Sequence, residues 1–298
     1  MKIKSSKKYT TRFKKMAFGG EPDEEVLAVH SFYDEKGNVI EEIRIDEEDQ
    51  EEKHVYEYHE NGKLIRHDLM IESDGISETF NYTRDEKGRL IEETKYYGDD
   101  PGERVVYVYE AHDQPVSISR FDSDGEPESI ETISYNDKNL LIEHKRAGAD
   151  SKIIEVSRIE YDEKELPVNK TVLDSKNEII SVTTLGYNDK NELIRVTEKN
   201  SEGKTVSDIT STYDERGNVT SRKVRDFHSK SLQFVYDEND NCIEEAVYDE
   251  HGNLTMKSNY EFDSENHLIS ESEYLLDMNR GSQMANSQSR YEYEYWTS

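Results

Sequence analysis

The chain has 298 residues and a net charge of −29, from 38 Lys and Arg against 67 Asp and Glu. Only 33% of its residues are hydrophobic, against roughly 45–50% in ordinary globular domains, which excludes a thick conventional core. The chain also contains 20 Tyr and 8 Phe, whereas disordered acidic chains are poor in aromatic residues. We therefore expect a folded protein with a thin core.

The first predicted element is a basic N-terminal arm, residues 1–20, with seven Lys and Arg and no acid. The arm lacks the apolar segment of a secretory signal, and no stretch of the chain approaches the ~18 apolar residues of a membrane span. We therefore expect a cytoplasmic protein, with non-classical secretion left open. The arm could bind acidic lipid or nucleic acid, but we favour its docking as an edge strand on the acidic body.

The second predicted element is a domain of tandem repeats, residues 21–276. The string Tyr-Asp-Glu-Lys-Gly-Asn-Val at 33–39 recurs in related form at 58–64, 213–219 and 248–254. An aromatic residue opens each unit of about 26 residues, and a weaker copy lies halfway along it. The expected repeat anchors are Tyr33, Tyr58, Tyr82, Tyr109, Tyr135, Tyr161, Tyr187, Tyr213, Tyr236 and Phe262.

The fifth position of the string is expected to have a positive φ. Glycine and asparagine alternate there, and these residues tolerate the left-handed region best. With Asp at the second position, whose side chain bonds a backbone N–H two residues on, this predicts a type I turn with a bulge. The expected left-handed residues are Gly37, Gly62, Gly125, Asn139, Asn177, Asn191, Gly217, Gly252 and Asn266.

Apolar residues spaced two apart flank these turns, as in Tyr56-Glu57-Tyr58, and this spacing predicts strands with one buried face. Two strands per unit give about twenty strands. The expected fold is all-β, a long antiparallel sheet of β-hairpins that strand twist curves into an open spiral or partial shell. The last element, residues 277–298, is expected to combine a polar loop with an aromatic strand that caps the sheet.

The repeated string, as at 33–39 and 213–219, resembles the YD repeat of the Rhs and teneurin families over roughly residues 30–275. The resemblance implies a long β-sheet that spirals into a hollow shell without enzymatic activity. In bacterial toxins of the family, such a shell encloses a toxic C-terminal domain. The motif consists mostly of turn residues, so it indicates architecture far better than function.

The sequence predicts no catalytic, cofactor or metal site. The acidic turns at 122–125 and 237–241 invite a calcium hypothesis, but neither has the spacing of an EF-hand, and ordinary Asx turns explain both. The nine histidines show no metal-ligand spacing. Cys242 stands where other copies have Val, Leu or Ile, so we favour a small buried hydrophobic residue over a nucleophile.

The preferred functional hypothesis is a non-enzymatic repeat scaffold that binds a protein partner of basic charge, such as a toxin or secreted effector, on its acidic sheet. One alternative is a carbohydrate-binding module, in which exposed Tyr and Trp296 stack on sugars. Another is an acidic immunity-type inhibitor of a basic nuclease. The acidic charge of the main body is unfavourable for binding nucleic acid itself.

Overall fold

The structure, a computed structural model, describes residues 2–15, 20–46, 48–71, 75–277 and 282–297. These residues form 22 β-strands and no helix, which confirms the all-β prediction. The strands are β1 (Ile3–Lys15), β2 (Gly20–Tyr33), β3 (Val39–Ile45), β4 (Glu51–Tyr58), β5 (Leu64–Ile71), β6 (Ile76–Arg84), β7 (Leu90–Tyr97), β8 (Asp100–Tyr109), β9 (Pro115–Phe121), β10 (Pro127–Tyr135), β11 (Leu141–Gly148), β12 (Ile153–Tyr161), β13 (Pro167–Asp174), β14 (Ile179–Tyr187), β15 (Leu193–Asn200), β16 (Thr205–Tyr213), β17 (Val219–Arg225), β18 (Lys230–Tyr236), β19 (Cys242–Tyr248), β20 (Leu254–Phe262), β21 (Leu268–Asp277) and β22 (Ser282–Tyr295).

The chain divides into two compact units, and within each unit strands pair antiparallel with their neighbours in sequence. The first unit comprises Met1–His30, Leu185–Glu198 and Thr205–Ser298, and the second comprises Ser31–Thr184 and Lys199–Lys204.

Fifteen hairpins among the described residues close with the same two backbone hydrogen bonds. In the hairpin at 33–39, the N–H of Gly37 donates to the carbonyl of Asp34, and the N–H of Asp34 donates to that of Asn38. Oδ1 of Asp34 also accepts the N–H groups of Lys36 (2.8 Å) and Asn38 (2.9 Å). An Asp or Asn here satisfies two backbone donors that the turn leaves unpaired, which explains why these residues recur.

Within each unit, the repeat tyrosines lie on one face of the sheet, which we call the tyrosine face. Tyr58 pairs across its hairpin with Leu64, and the register shifts by a bulge between Glu57 and Tyr58. Because side chains alternate along a strand, the residue before each tyrosine points to the opposite face. In β12, accordingly, Tyr161 is half-buried while Glu160 is exposed.

The core is as thin as the composition predicts. Among the described residues the buried hydrophobic ones are Val156, Leu173 and Ala246, whereas seven polar residues, five of them serines, are equally buried. The accessible surface is 18936 Å², well above the roughly 13,000 Å² expected for a compact monomer of 34.8 kDa. Strand pairing and side-chain hydrogen bonds must therefore supply much of the cohesion.

The terminal strands correct one expectation. β1 pairs with β22 from Ile3 to Thr10 and also pairs with β2, while β22 pairs with β21 on its other side. The prediction of an open spiral or partial shell is therefore wrong at the chain ends, because neither terminal strand is a free edge. Residues 282–289, expected in a polar loop, belong to β22, and residues 278–281 lie outside the described residues.

Candidate functional site

Hydrogen bonds from the tyrosine hydroxyls join neighbouring hairpins on the tyrosine face. In six of the repeats, the tyrosine hydroxyl donates to a backbone carbonyl of the preceding tyrosine hairpin. The acceptor is the first residue of that hairpin's return strand, as when Tyr161 donates to Leu141 at 2.8 Å. A phenol that is half-buried needs such a partner, so the repeated bond fixes the ring against the next hairpin. The same bond is made by Tyr58, Tyr109, Tyr135, Tyr213 and Tyr236, with distances of 2.7–3.0 Å.

One repeat uses an arginine in place of the tyrosine. Arg84 immediately precedes the turn at 85–89 and pairs with Leu90, as Tyr58 pairs with Leu64 in its own hairpin. The Arg84 guanidinium donates to the carbonyl of Leu64 at 3.2 Å. Arg84, and not the expected Tyr82, therefore stands at the anchor position of this repeat. Tyr82 lies two residues earlier in β6, on the same face. Tyr33, Tyr82, Tyr187 and Phe262 are all half-buried.

The expected left-handed residues all have a positive φ, between 61° and 92°. Six further turns have a residue with positive φ at the same position: Asp49, Gly88, Ser151, Glu165, Gly203 and Asp240. Glu165 and Asp240 break the Gly and Asn pattern of the sequence, yet they adopt the same conformation. The Asx side chain and the pairing of the flanking strands therefore impose the turn even on residues that disfavour it.

The turns fall into two classes because successive hairpins of a meander turn at opposite ends of the strands. We call tyrosine turns those that follow the repeat anchors, at 34–38, 59–63, 85–89, 136–140, 162–166, 188–192, 214–218, 237–241 and 263–267. We call alternate turns those at the other end of the strands, at 46–50, 122–126, 148–152, 174–178, 200–204 and 249–253.

Cationic side chains of the tyrosine turns bind the next tyrosine turn along the chain. Nζ of Lys36 donates to the carbonyl of Glu60 at 2.8 Å, and Nζ of Lys63 donates to that of Gly88 at 2.7 Å. Arg216 donates to the carbonyl of Asp237 at 2.8 Å. These cations are therefore directed at neighbouring backbone.

Most tyrosine turns also carry an exposed acid. The second residue of eight tyrosine turns is an exposed carboxylate, and we call these residues the acidic row: Glu35, Glu60, Glu86, Asp137, Glu163, Asp189, Glu215 and Glu238. Consecutive tyrosine turns are two strands apart, about 10 Å, which is close to the Debye length at physiological salt. Within each unit, the fields of neighbouring members of the row therefore add.

Carboxylates on the tyrosine face are mostly paired. Glu131 binds both Arg120 and His144 Nε2, and burial of its carboxyl, which raises the pKa, is outweighed by these partners, which lower it. Glu271 accepts Lys8 Nζ at 2.8 Å. Glu93 accepts the hydroxyl of Tyr107 at 2.8 Å. The hydrogen-bonding capacity of these three carboxylates is thus used by neighbouring side chains.

A stack of rings crosses β4, β5 and β6 on this face. His54 Nδ1 and His67 Nε2 are 2.9 Å apart, and the His67 ring lies 4.6 Å from Tyr56 and 5.3 Å from Phe80, nearly parallel to both. Burial lowers the pKa of both histidines; the charge of Arg44 adds to both shifts, and that of His54 adds to the shift of His67. The sequence treats these histidines as scattered, because only the β4–β5 register brings them together.

The remaining candidate groups are the metal-ligating side chains and the single cysteine. Within the described ranges, no three His, Cys, Asp or Glu side chains converge to hold a metal ion. Cys242 is half-buried, and burial raises the pKa of its thiol, which favours the protonated form. The described chain also has no helix long and apolar enough to cross a bilayer.

Comparison with known proteins gives distant structural similarities only. No protein-family model matches the chain, and no curated protein is similar to it. Similar solved structures include a chain of the Photorhabdus luminescens Tc holotoxin pore, with 13% identity over 96% of this chain and 18% of that chain, at a TM-score of 0.34. This chain thus spans about a fifth of the length of the toxin chain that it matches.

A porin-like protein from Bacteroides uniformis is 11% identical over 98% of both chains, with a TM-score of 0.38. TcdB2-TccC3 without its hypervariable C-terminal region is 13% identical over 93% of this chain and 18% of that chain, with a TM-score of 0.29. These scores are too low to establish a shared fold, so the architecture rests on the strand pairing itself.

Proposed function

We propose that this chain is a non-enzymatic repeat scaffold of the YD-repeat type that binds a basic protein partner along the acidic row. The observation that carries the proposal is the division of charge within the tyrosine turns. Lys36, Lys63 and Arg216 bind neighbouring turns, while the acids of the row stay exposed. These three cations are engaged by neighbouring backbone, and the row presents exposed carboxylates at a regular spacing.

The net charge of −29 supports the same partner class. A long-range acidic field accelerates encounter with a basic protein and repels acidic ones, so it contributes to association rate and to selectivity. A toxin or a secreted effector of basic charge is the partner that the sequence motif suggests. The hydroxyls of Tyr161 and Tyr213 donate to backbone carbonyls and so are not available to donate to a sugar.

The test compares two variants that remove the same number of charges from the same unit. The row variant carries Glu60→Gln, Glu86→Gln, Asp137→Asn and Glu163→Gln. The control variant neutralises four exposed acids of the alternate turns, and these substitutions are Asp124→Asn, Glu126→Gln, Glu178→Gln and Glu202→Gln.

Wild type and both variants are used to capture proteins from the native cell at low salt, with stepwise salt elution and mass spectrometry. We expect a basic protein that wild type and the control variant retain and the row variant loses. Equal retention by all three chains, or no basic protein released by salt, would overturn the proposal.

A further inference from the structure

An open cavity of about 410 Å³ lies on the tyrosine face of the first unit. Four aromatic side chains line it, Phe234 and Tyr236 from β18 and Tyr260 and Phe262 from β20, together with the carboxylate of Glu245 from the intervening β19. We call it the aromatic cavity. Its volume falls in the range of small-ligand sites.

The sequence of β19 explains why there is space between the two aromatic strands. Cys242 pairs with Tyr236 at the position where most repeats carry Leu or Val, and it fills less volume. Glu245 pairs with Phe234 on one side and with Ser258 on the other. Ser258 is only 5% exposed, so the ladder partner of Glu245 on that side is a small buried side chain.

Elsewhere the protein places its own cation over an aromatic ring and next to a carboxylate. Lys95 lies over the ring of Tyr97, 4.3 Å from its centre, and its Nζ is 2.9 Å from Glu78. Lys8 lies over Tyr291 at 5.4 Å and binds Glu271. Such cation–π contacts gain strength from the adjacent acid because both attract the same positive charge.

The aromatic cavity contains the rings and the carboxylate of that arrangement but no cation. Among the described residues, no Lys or Arg lies over its four rings and none forms an ion pair with Glu245. Arg222 lies on the same face of β17, opposite Leu232 in the ladder, and is exposed. The charge of Arg222 reaches Tyr236, but among the described residues no cation covers a ring of the cavity or pairs with Glu245, so the cavity is electrostatically suited to a further cation.

We propose that the aromatic cavity binds an alkylammonium group. The rings supply negative faces and apolar contact for methyl or methylene groups, and Glu245 supplies the opposite charge. The group can belong to a free small molecule or to a lysine side chain, because both carry an alkylammonium group. This site goes beyond the proposed scaffold function and does not depend on the acidic row.

The test is isothermal titration calorimetry of the full chain with choline and with its uncharged isostere 3,3-dimethylbutan-1-ol. We expect choline to bind with a dissociation constant of about 1 mM, and the alcohol at least about tenfold more weakly. Blocked lysine and blocked trimethyllysine form two further arms. Tighter binding of a blocked amino acid than of choline assigns the group to a protein side chain, and the reverse assigns it to a free cation.

Variants separate the cavity from general charge effects. Glu245→Gln should weaken choline binding about tenfold, and Tyr260→Leu should weaken it several-fold. Glu244→Gln is the matched control, because Glu244 is the adjacent residue on the opposite face, where it binds Lys257 at 2.7 Å. Unchanged thermal unfolding of each variant shows that the fold is intact.

Three results would overturn the proposal: no heat of choline binding at about 100 mM, choline binding that Glu245→Gln leaves unchanged, or equal affinity for the uncharged alcohol. The last result would make the cavity a simple apolar depression. Arg222→Gln should leave choline affinity unchanged or increase it, and a decrease would contradict an electrostatic site.

Discussion

The two ends of the strands are built from the same backbone turn but are held together differently. Tyrosine turns are joined by side-chain hydrogen bonds, such as Lys36 to Glu60 and Lys63 to Gly88, and by the tyrosine hydroxyls. Alternate turns carry packed or exposed apolar residues beside them, such as Leu173 at 5% exposure and Ile180 at 44%. The comparison explains why the period is 26 residues when the hairpin repeats every 13.

The largest expected effect tests packing at the alternate end. Leu173 is buried against Val156, its partner in the β12–β13 ladder. Leu173→Ala should lower the free energy of unfolding by about 2–3 kcal/mol, measured by urea denaturation. Ile180→Ala, at an exposed site of the same end, should cost less than about 0.5 kcal/mol. Similar losses for the two variants would mean that this end has no packed anchor.

Removing single hydroxyls compares the hydrogen bonds of the two ends. Tyr161→Phe deletes a 2.8 Å bond to the Leu141 carbonyl and should cost about 1 kcal/mol. Tyr248→Phe, before an alternate turn, deletes an exposed 3.4 Å contact with Gln233 and should be nearly neutral. Equal losses in urea denaturation would contradict the view that only the tyrosine end is joined in this way.

Glycine substitutions sharpen the comparison at one backbone position. Ser151 in an alternate turn and Glu165 in a tyrosine turn both have a positive φ, 58° and 67°. Ser151→Gly should raise the free energy of unfolding by about 1 kcal/mol, since glycine relieves the strain of the left-handed region. Glu165→Gly should gain less, because it also removes the carboxylate that Lys138 binds at 2.7 Å. A larger gain at Glu165 would show that the contact between turns contributes nothing.

The His54–His67 pair lies within the strands, away from both sets of turns, and predicts a pH effect of its own. Burial lowers the pKa of both histidines, so the unfolded chain binds more protons in mild acid. Their contribution to stability is complete above the unfolded pKa of ~6.5 and is lost as the pH falls from there through the folded pKa.

Thermal unfolding should therefore show a larger drop in Tm between about pH 7.5 and about pH 5.5 for wild type than for His54→Phe/His67→Phe. The phenylalanine rings keep the stack but do not titrate. Parallel curves for the two proteins would contradict the assignment.

Turn chemistry is what the sequence predicts best, because it is local. Asp34 and Gly37 lie within one turn, and each acts on backbone groups no more than four residues away. The Arg84 anchor was not predicted, because arginine and tyrosine have unlike side chains. Only the structure shows that the Arg84 guanidinium donates to a return-strand carbonyl, as the tyrosine hydroxyls do. The sequence does contain a clue to this anchor, since Asp85 and Gly88 follow Arg84 at the same spacing as the Asp and Gly that follow the repeat tyrosines.

The partners in non-local pairing were outside the reach of the sequence, which predicted that the N-terminal arm docks as a strand but not on which strand. The pairing of β1 with β22 joins residues almost 300 positions apart and carries no local signature. The aromatic cavity depends on the small volume of Cys242 between two aromatic strands. In the sequence, Cys242, Glu245 and the flanking aromatic residues look like part of an ordinary repeat. Strand register, and not residue type, decides both.

Native-state hydrogen exchange measured by NMR tests the difference between the two ends most directly. The observed groups are the amides that close the turns, those of Gly37, Gly62 and Gly217 in tyrosine turns and those of Gly125, Gly203 and Gly252 in alternate turns. After correction for intrinsic rates, we expect the tyrosine-turn amides to exchange about tenfold more slowly, since side-chain bonds to neighbouring turns oppose local opening. Equal protection at the two ends, or greater protection in the alternate turns, would contradict the account.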